Sequence, residues 1–175
     1  KYAVIRDKGF FTYLEKNLDK IMSLDSKALE EVVSQSAKIK AKIVEEDECD
    51  LGLRNILNYG HTVGHAIETA SDFKVGHGQA IATGMVIAGK ISNELGMFSK
   101  NEQIRLRRII QRAGLPTEIP HLERQRIMQA MKHDKKILQG RTRFILPKAI
   151  GEVFISDEVS PSLIKQVLAR GHEKT

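Results

Sequence analysis

The stretch RNILNYGHTVGHAIETASDFKVGHGQ, from Arg54 to Gln79, concentrates the chemically reactive residues of this chain. It holds three of the six histidines, His61, His65 and His77. His61 and His65 stand four residues apart, so a helix would project both from one face with about 5 to 6 Å between their Cβ atoms. His77 follows a break in the pattern at residues 71–74 and can therefore approach the other two from a second element.

The histidine cluster has two chemical interpretations. A neutral imidazole is the commonest protein ligand for Zn²⁺, and a catalytic zinc ion usually takes three protein ligands and leaves one position open. Either all three histidines bind metal, or two bind it and the third handles protons. A single histidine in a helix of small residues is more often a hydrogen-bonded core residue, but three histidines with glycines beside them favour a site. Those glycines are Gly60, Gly64, Gly76 and Gly78.

Polar residues around the histidines suit the binding of an anion. Arg54 carries a planar fork of donors that can bind a carboxylate or a phosphate through two bonds. Asn58 follows four residues later, and its amide can both donate and accept. Glu68 lies one turn after His65 and could orient a histidine as a hydrogen-bond acceptor, although an exposed carboxylate is an equally good reading.

Hydrophobic periodicity predicts a mainly α-helical domain, residues 1–175, with a minor β-hairpin. Asp25 or Ser26 caps a long helix that ends near Glu46. The remaining predicted elements are a buried helix with a small-residue face from Gln79 to Leu95, a helix after the capping box Ser99–Glu102 that ends at Gly114, a helix over about 122–133, strands at Phe144–Leu146 and Val153–Ile155, and a last helix from Ser160-Pro161 to Gly171.

The same periodicity predicts which side chains of the first two long helices face the core. Phe10, Phe11, Leu14, Leu18 and Ile21 recur at helical spacing in the first. The second is predicted to bury Leu29, Val32, Val33, Ala37 and Ile39 or Lys40. The lysines of this second helix are most simply a solvated face.

Composition bounds the class of protein. A chain of 175 residues can bury roughly 70% of its unfolded surface, which suffices for one core. No apolar run approaches the ~20 residues of a membrane span and no signal-peptide pattern is present, so a protein without membrane contact is expected. The single cysteine, Cys49, fits a reducing compartment, and we expect a cytoplasmic location.

The positive charge points to a small anionic partner. The net charge is +6, but Trp is absent and only 5% of residues are aromatic. Nucleic-acid binders that stack bases need aromatic side chains among their basic residues, so no nucleic-acid partner is expected. We attribute the excess charge to a small phosphorylated substrate and to ordinary solvated helix faces.

The segments LRNILNYGHTVGHAIE and HGQAIATGM resemble the central motif of the 3-dehydroquinate synthase family, LRN-x-LN-x-GH-x-x-GHAIE followed by HGEA-x-x-x-GM. The resemblance implies that His61 and His77 bind zinc and that His65 lies against the substrate and takes part in proton transfer. Gln79 stands where the family usually has glutamate, so this chain has no carboxylate at that position.

The resemblance also implies roles for several basic and amide residues. Lys40, fourteen residues before Arg54 as in the family, would contact the carboxylate or hydroxyls of the substrate. Arg54 and Asn58 would contact the substrate as well, and Asn58 favours dehydroquinate chemistry over that of related cyclases of secondary metabolism. One lysine of the family's DKK motif reaches the phosphate or carboxylate; we prefer Lys136, although spacing does not separate it from Lys135.

Lys1 corresponds to the lysine of a family helix motif, AEVIKYA, and is therefore a further candidate catalytic residue. The family's third zinc ligand is the glutamate three residues before that lysine, outside this sequence. The family's N-terminal NAD-binding domain would also lie outside it. The resemblance thus covers the C-terminal, mostly helical half of the family fold, and this half alone is expected to bind metal weakly and to be inactive.

The implied reaction converts 3-deoxy-arabino-heptulosonate 7-phosphate to 3-dehydroquinate and phosphate, in the shikimate pathway of aromatic amino acid biosynthesis. It would make the full-length protein a phosphate-eliminating lyase, a homodimer that uses Zn²⁺ or another divalent metal such as Co²⁺ and regenerates NAD⁺ in each turnover. Two alternatives remain: another NAD- and metal-dependent sugar phosphate cyclase or polyol dehydrogenase of the same fold, and a non-catalytic helical module in which the histidines are structural.

Overall fold

The computed structural model describes residues 1–49, 52–119, 122–133, 137–138 and 141–169. The first α-helices are short α1 and longer α2 and α3, and a 3₁₀ helix, Leu53–Asn58, leads into the rest. The bounds of the α-helices are α1 Tyr2–Arg6, α2 Lys8–Met22, α3 Ser26–Glu46, α4 His61–Ala70, α5 His77–Glu94, α6 Lys100–Arg112, α7 Arg124–His133 and α8 Pro161–Ala169. The predicted mainly α architecture is confirmed.

The strands form two small antiparallel pairs. The predicted hairpin consists of β3 (Phe144–Ala149) and β4 (Glu152–Ser156), paired with Ile145 opposite Ile155 and with an irregularity after Pro147. A second ladder of two residues a strand, β1 (Ile137–Leu138) with β2 (Arg141–Thr142), was not predicted. Pairs this short carry too few side chains to show an alternating pattern in the sequence.

Helix α5 is the centre of the core. Its residues from Ala80 to Gly89 are all buried, and α4, α6, α8 and β3 pack around it. Gly84 faces the start of α4 so closely that a Cβ atom at this position would lie 2.0 Å from the carbonyl oxygen of Gly60. The small-residue face predicted from the sequence therefore lets α4 and α5 cross backbone against backbone, which fixes the spacing of the histidines that these helices carry.

Hydrogen bonds tie the β3–β4 hairpin to two helices. The Ser92 hydroxyl of α5 donates to the carbonyl oxygen of Pro147. The backbone N–H of Gly151 donates to the carbonyl oxygen of Val4 at 2.8 Å. Gly151 has a φ of +97°, and a Cβ atom there would lie 2.8 Å from the backbone nitrogen of Lys8. Glycine is therefore required at this turn for both conformational and steric reasons.

Local signals set the helix ends as predicted. The Asp25 side chain accepts from the backbone N–H of Ala28 at 2.9 Å, so Asp25 rather than Ser26 caps α3. The Ser99 hydroxyl accepts from Glu102 N–H, and the Ser160 hydroxyl accepts from the backbone of Leu163. A side-chain oxygen at these positions satisfies a backbone donor that has no partner within the helix. The predicted end at Gly171 lies outside the described residues.

The predicted core face of α3 is partly wrong. Val33 is 67% exposed, and Ala37 and Lys40 are also exposed, whereas Ile39 and Ile43 are buried. Helix α3 packs against α1, α2 and the 3₁₀ helix through a narrow stripe of its surface. Its apolar residues cover a wider arc than this stripe, so some of them face outward. For α2 the prediction was closer: Phe10, Phe11 and Leu18 are buried, and Leu14 and Ile21 are half-buried. Among the described residues, no helix is both long and apolar enough to span a membrane.

Candidate metal centre

The backbone around Gly60 places the first histidine. Gly60 adopts a left-handed conformation with a φ of +83° and caps α4, of which His61 is the first residue. Tyr59, immediately before it, is fully buried and donates its hydroxyl to the carbonyl oxygen of Met85 at 3.0 Å. Burial raises the pKa of the Tyr59 hydroxyl, which therefore remains a donor at neutral pH. The beginning of α4 is thus anchored to the middle of α5.

The structure brings the three predicted histidines together. The ring centroids of His61 and His65 lie 5.2 Å apart, those of His61 and His77 5.7 Å apart, and those of His65 and His77 6.1 Å apart. His61 and His65 occupy one face of α4, one turn apart, and His77 begins α5. As the sequence predicts, His61 and His65 share one helix face and His77 approaches them from a second helix.

Hydrogen bonds orient two of these rings. His61 donates from Nδ1 to the carbonyl oxygen of Tyr59 at 3.1 Å. His77 donates from Nδ1 to a carboxylate oxygen of Glu68 at 2.9 Å, and the Glu68 side chain is only 14% exposed. When Nδ1 carries the proton, Nε2 keeps the lone pair that a metal ion needs. Of the two readings of Glu68, the structure favours the acceptor that orients a histidine.

A second set of possible ligands overlaps the first. One ligand atom from each of His65, Glu68 and His77 can be chosen so that all three atoms lie within 4.8 Å of one another. Imidazole nitrogens and a carboxylate oxygen are suitable donors for Zn²⁺ or Co²⁺, so the residues present fit a divalent transition metal. In the pair His61 and His77, a hydrogen bond from Nδ1 already orients each of the two rings.

Burial keeps the first histidine neutral. The pKa of His61 is lowered to about 4, chiefly because the half-buried ring loses solvation when it is charged. The bond to the Tyr59 carbonyl opposes this shift, while the nearby charges of Lys1, His65 and His77 reinforce it. His61 is therefore uncharged at neutral pH, the form in which an imidazole binds metal.

Two basic residues from distant parts of the chain, Lys1 and Lys40, lie within electrostatic reach of each other, and Lys1 also reaches His61. The pKa of the Lys1 side chain is lowered, first by burial and then by the positive charge of Lys40. Because Lys1 also acts on the pKa of His61, the structure places Lys1 within electrostatic reach of both Lys40 and this ring. Lys40, which sequence alone favours as one residue of a solvated face, thus lies near a candidate site residue.

The other predicted residues lie on the 3₁₀ helix or outside the described part of the chain. Arg54 and Asn58 are half-buried on this helix, directly before α4. The backbone N–H of Arg54 donates to a carboxylate oxygen of Asp47 at 2.9 Å. Lys136 and its neighbour Lys135 are outside the described residues.

Tyr59 and Arg126 are structural contributors to the site that the sequence did not reveal. The Tyr59 carbonyl orients His61, and an aromatic residue beside a glycine gives no signal of that backbone role. Arg126 of α7 forms an ion pair with Asp72, at 2.9 Å, in the segment between α4 and α5. This contact joins residues 54 positions apart and depends on the packing of α7 against α4.

Comparison with protein families and curated proteins gives consistent matches. A family model described as "3-dehydroquinate synthase C-terminal" matches residues 1–137. The 3-dehydroquinate synthase of Desulforamulus reducens is 46% identical over 172 residues, which are 97% of this chain and 48% of that protein. That of Rippkaea orientalis is 44% identical over 172 residues, or 96% of this chain and 47% of that protein.

Solved structures share the fold. ValA, the 2-epi-5-epi-valiolone synthase of Streptomyces hygroscopicus subsp. jinggangensis 5008, solved with NAD⁺ and Zn²⁺ bound, matches with a TM-score of 0.83 at 20% identity, over 96% of this chain and 47% of its own. A 2-deoxy-scyllo-inosose synthase complexed with carbaglucose-6-phosphate, NAD⁺ and Co²⁺ matches with a TM-score of 0.69 at 28% identity, over 77% of this chain and 40% of its own. The chain spans about half the length of the curated relatives it matches.

Proposed function

Because the chain belongs to the 3-dehydroquinate synthase C-terminal family, we propose that it is the metal- and substrate-binding half of a 3-dehydroquinate synthase. The whole enzyme would convert 3-deoxy-arabino-heptulosonate 7-phosphate to 3-dehydroquinate and phosphate. The observation that carries the proposal is the meeting of three imidazole rings at 5.2 to 6.1 Å, two of them oriented through Nδ1. Identities of 44–46% to curated 3-dehydroquinate synthases support this reaction over those of the cyclases matched by structure.

His61 and His77 are the proposed metal ligands, and Zn²⁺ or Co²⁺ is the proposed ion. The solved relatives with Zn²⁺ or Co²⁺ support this choice. When bound, such an ion supplies Lewis acidity that lowers the pKa of a substrate hydroxyl. Glu68 holds the His77 ring in the tautomer that leaves Nε2 free, and the Tyr59 carbonyl does the same for His61. The third protein ligand is proposed to come from a glutamate outside these 175 residues.

The remaining residues bind the substrate and move protons. His65 lies beside His61 on the same face of α4, where its ring can accept or return a proton of the substrate. Lys1, Lys40 and Arg54 supply positive charge for the carboxylate and phosphate of a polyanionic substrate. Holding the reacting groups in one orientation converts part of the binding energy into rate.

Asn58 and Lys136 complete the proposed substrate contacts. Asn58 would hydrogen-bond the ring of the substrate, and Lys136 would reach its phosphate or carboxylate. NAD⁺ is proposed to be bound mainly by residues outside this chain, as the solved relatives with NAD⁺ suggest, and we assign it no contact here. For the full-length protein we propose a cytoplasmic homodimer and a lyase activity that eliminates phosphate.

The test is phosphate release from the heptulosonate phosphate by the full-length protein that carries this domain, with NAD⁺ and zinc. His61→Ala and His77→Ala should abolish turnover, and His65→Asn should lower kcat by about 10²-fold or more because a group that transfers protons is lost. The control is Asp19→Asn, a substitution on α2 that should leave turnover unchanged. Turnover of glucose 6-phosphate in place of the heptulosonate phosphate would support a different cyclase, and full activity of His61→Ala would contradict the assignment.

A further inference from the structure

The segment Ser71–Gly76, called here the connector, joins α4 to α5 and separates the two partners of the Glu68–His77 contact. Glu68 lies in the last turn of α4, and His77 is the first residue of α5. Their hydrogen bond of 2.9 Å therefore depends on how the connector turns the chain back on itself. A small change in this turn would move the His77 ring relative to the rings on α4.

The connector adopts a backbone conformation that its residues do not favour. Asp72 and Phe73 have φ values of +53° and +59°, both in the left-handed region. Aspartate tolerates this region better than most residues, whereas phenylalanine does not. Phe73 is 76% exposed, so burial of its side chain contributes little to hold the turn. Other contacts must therefore stabilise it.

A buried hydroxyl supplies one of these contacts. Ser71 is 5% exposed, and its hydroxyl donates to the carbonyl oxygen of Glu68 at 2.9 Å. The same oxygen atom of Ser71 accepts from the backbone N–H of Val75 at 3.3 Å. The backbone N–H of Phe73 also donates to the Glu68 carbonyl, at 2.8 Å. Ser71 thus links the residue that carries the acceptor carboxylate to the far end of the connector.

An ion pair from another helix supplies a second contact. The Arg126 guanidinium of α7 donates to the Asp72 carboxylate at 2.9 Å. Helix α7 packs against α4, so this pair ties the turn to a neighbour of the helix that holds His61 and His65. The pair is partly exposed, so its effect on overall stability is small, and its main consequence is the orientation of the turn.

We propose that Ser71, Asp72 and Arg126 are positioning residues that align Glu68 with His77 and thereby set the metal affinity of the site without touching the ion. This inference rests on the proposed function for the identity of the metal. It adds to that function residues that neither bind metal nor contact substrate.

The test compares Ser71→Ala and Asp72→Asn, each made in the full-length protein that carries this domain, with the unchanged full-length protein. Asparagine keeps the tolerance of position 72 for the left-handed region and removes only the charge. Zinc affinity is measured with zinc alone against a chromophoric chelator. The dissociation constant should rise about tenfold in Ser71→Ala, as for other residues that orient metal ligands, and about two- to fivefold in Asp72→Asn. Asp19→Asn is the matched control, because Asp19 pairs with Arg112 at the same 2.9 Å far along α2.

A second measurement separates positioning from general destabilisation. In the metal-free chain, the imidazole ¹⁵N chemical shifts of His77 report how far its proton resides on Nδ1. They should move toward a tautomer mixture in Ser71→Ala and Asp72→Asn and stay unchanged in Asp19→Asn. Unchanged shifts and unchanged zinc affinity in Asp72→Asn would overturn the inference. If the full-length protein that carries this domain binds no zinc, the proposed function fails, whereas the ¹⁵N shifts still decide whether the connector positions His77.

Discussion

Glu68 shows how one residue can prepare a site that it need not enter. Its carboxylate is largely withdrawn from solvent and accepts from a ring that is 61% exposed. The exposed ring of His77 is free to turn on its own, and the buried partner removes that freedom. A hydrogen bond to a charged acceptor also raises the basicity of the opposite ring nitrogen, which strengthens a metal bond.

Glu68→Gln should therefore weaken zinc binding by about 10- to 100-fold while leaving the fold intact. The amide keeps the size of the side chain but loses the charge that makes it a strong acceptor. Chelator competition measures the affinity, and circular dichroism checks the fold. Glu152→Gln is the control, because Glu152 pairs with Lys148 on the surface of the hairpin. Equal zinc affinity of Glu68→Gln and the unchanged chain would show that Glu68 has no orienting role.

At the scale of single residues, the sequence predicted the histidine cluster because helix geometry alone fixes two of its members. The approach of Lys1 to Lys40 could not be predicted from the residues, since it depends on how α1 and α3 pack. The family resemblance anticipated it only by naming both residues. The metal and substrate roles of these residues, and of Lys136, stay predictions.

At the scale of elements, the crossing of α4 and α5 is the contact on which the site depends. Gly60 and Gly84 let the two backbones meet, and the Tyr59 hydroxyl anchors the same junction through its bond to the carbonyl oxygen of Met85. Helices that cross this closely leave no room for a methyl group, and a forced separation would displace the residues at the start of α4. The stability of the fold and the geometry of the rings therefore depend on the same glycines.

Gly84→Ala should destabilise the chain by about 3 kcal/mol, at the upper end of overpacking costs, because the new Cβ would lie 2.0 Å from a backbone oxygen. Urea unfolding measures the change. Gly78→Ala on the same helix is the control: no atom lies within 4 Å of its Cβ position, so helix propensity should leave it neutral or up to about 1 kcal/mol more stable. Similar stabilities of the two variants would contradict the described crossing.

Ser99→Ala should cost about 1 kcal/mol of unfolding free energy, because α6 would lose the side chain that accepts from Glu102 N–H. The matched control is Ser26→Ala. Ser26 is exposed at the start of α3, but Asp25 caps that helix. The same urea titration applied to both variants gives the comparison, and an equal loss in Ser26→Ala would contradict the assignment of the caps.

Elements were predictable where their signals are local. The caps at Asp25, Ser99 and Ser160 each depend on a side chain and a backbone group three residues away, so the sequence contains both partners. The outward face of Val33 depends instead on which neighbours α3 meets, and apolar periodicity alone could not reveal it. The β1–β2 ladder was missed because two residues a strand make no pattern.

At the scale of the whole molecule, the proposed metal binding would be coupled to folding. The histidines come from α4 and α5, so they lie together only in the folded chain. An ion that binds the folded state but not the unfolded state stabilises it by mass action, by about 2.7 kcal/mol at 100 times its dissociation constant. The chain should therefore respond to zinc as a whole and not only at the site.

Zinc at about 100 times its dissociation constant should raise the Tm of the chain by about 5 to 11 °C. Each kcal/mol of added stability shifts the Tm of a domain of this size by about 2 to 4 °C. Thermal unfolding followed by circular dichroism measures the shift, and a chelator should reverse it. The doubly substituted His61→Ala, His77→Ala chain should show no shift. A zinc-dependent rise that persists in this chain would place the metal elsewhere.

The bond from Gly151 to Val4 has a consequence for synthesis on the ribosome. The Val4 carbonyl of α1 accepts the bond from Gly151 N–H, and strand β4 of the hairpin packs against the same helix. Its partner in the hairpin is translated near the end of this sequence, so Lys1 and its neighbours must wait for almost all of it to emerge. Until then the buried apolar residues of α1, Ala3, Val4 and Ile5, lack the cover that the hairpin provides and stay open to chaperones.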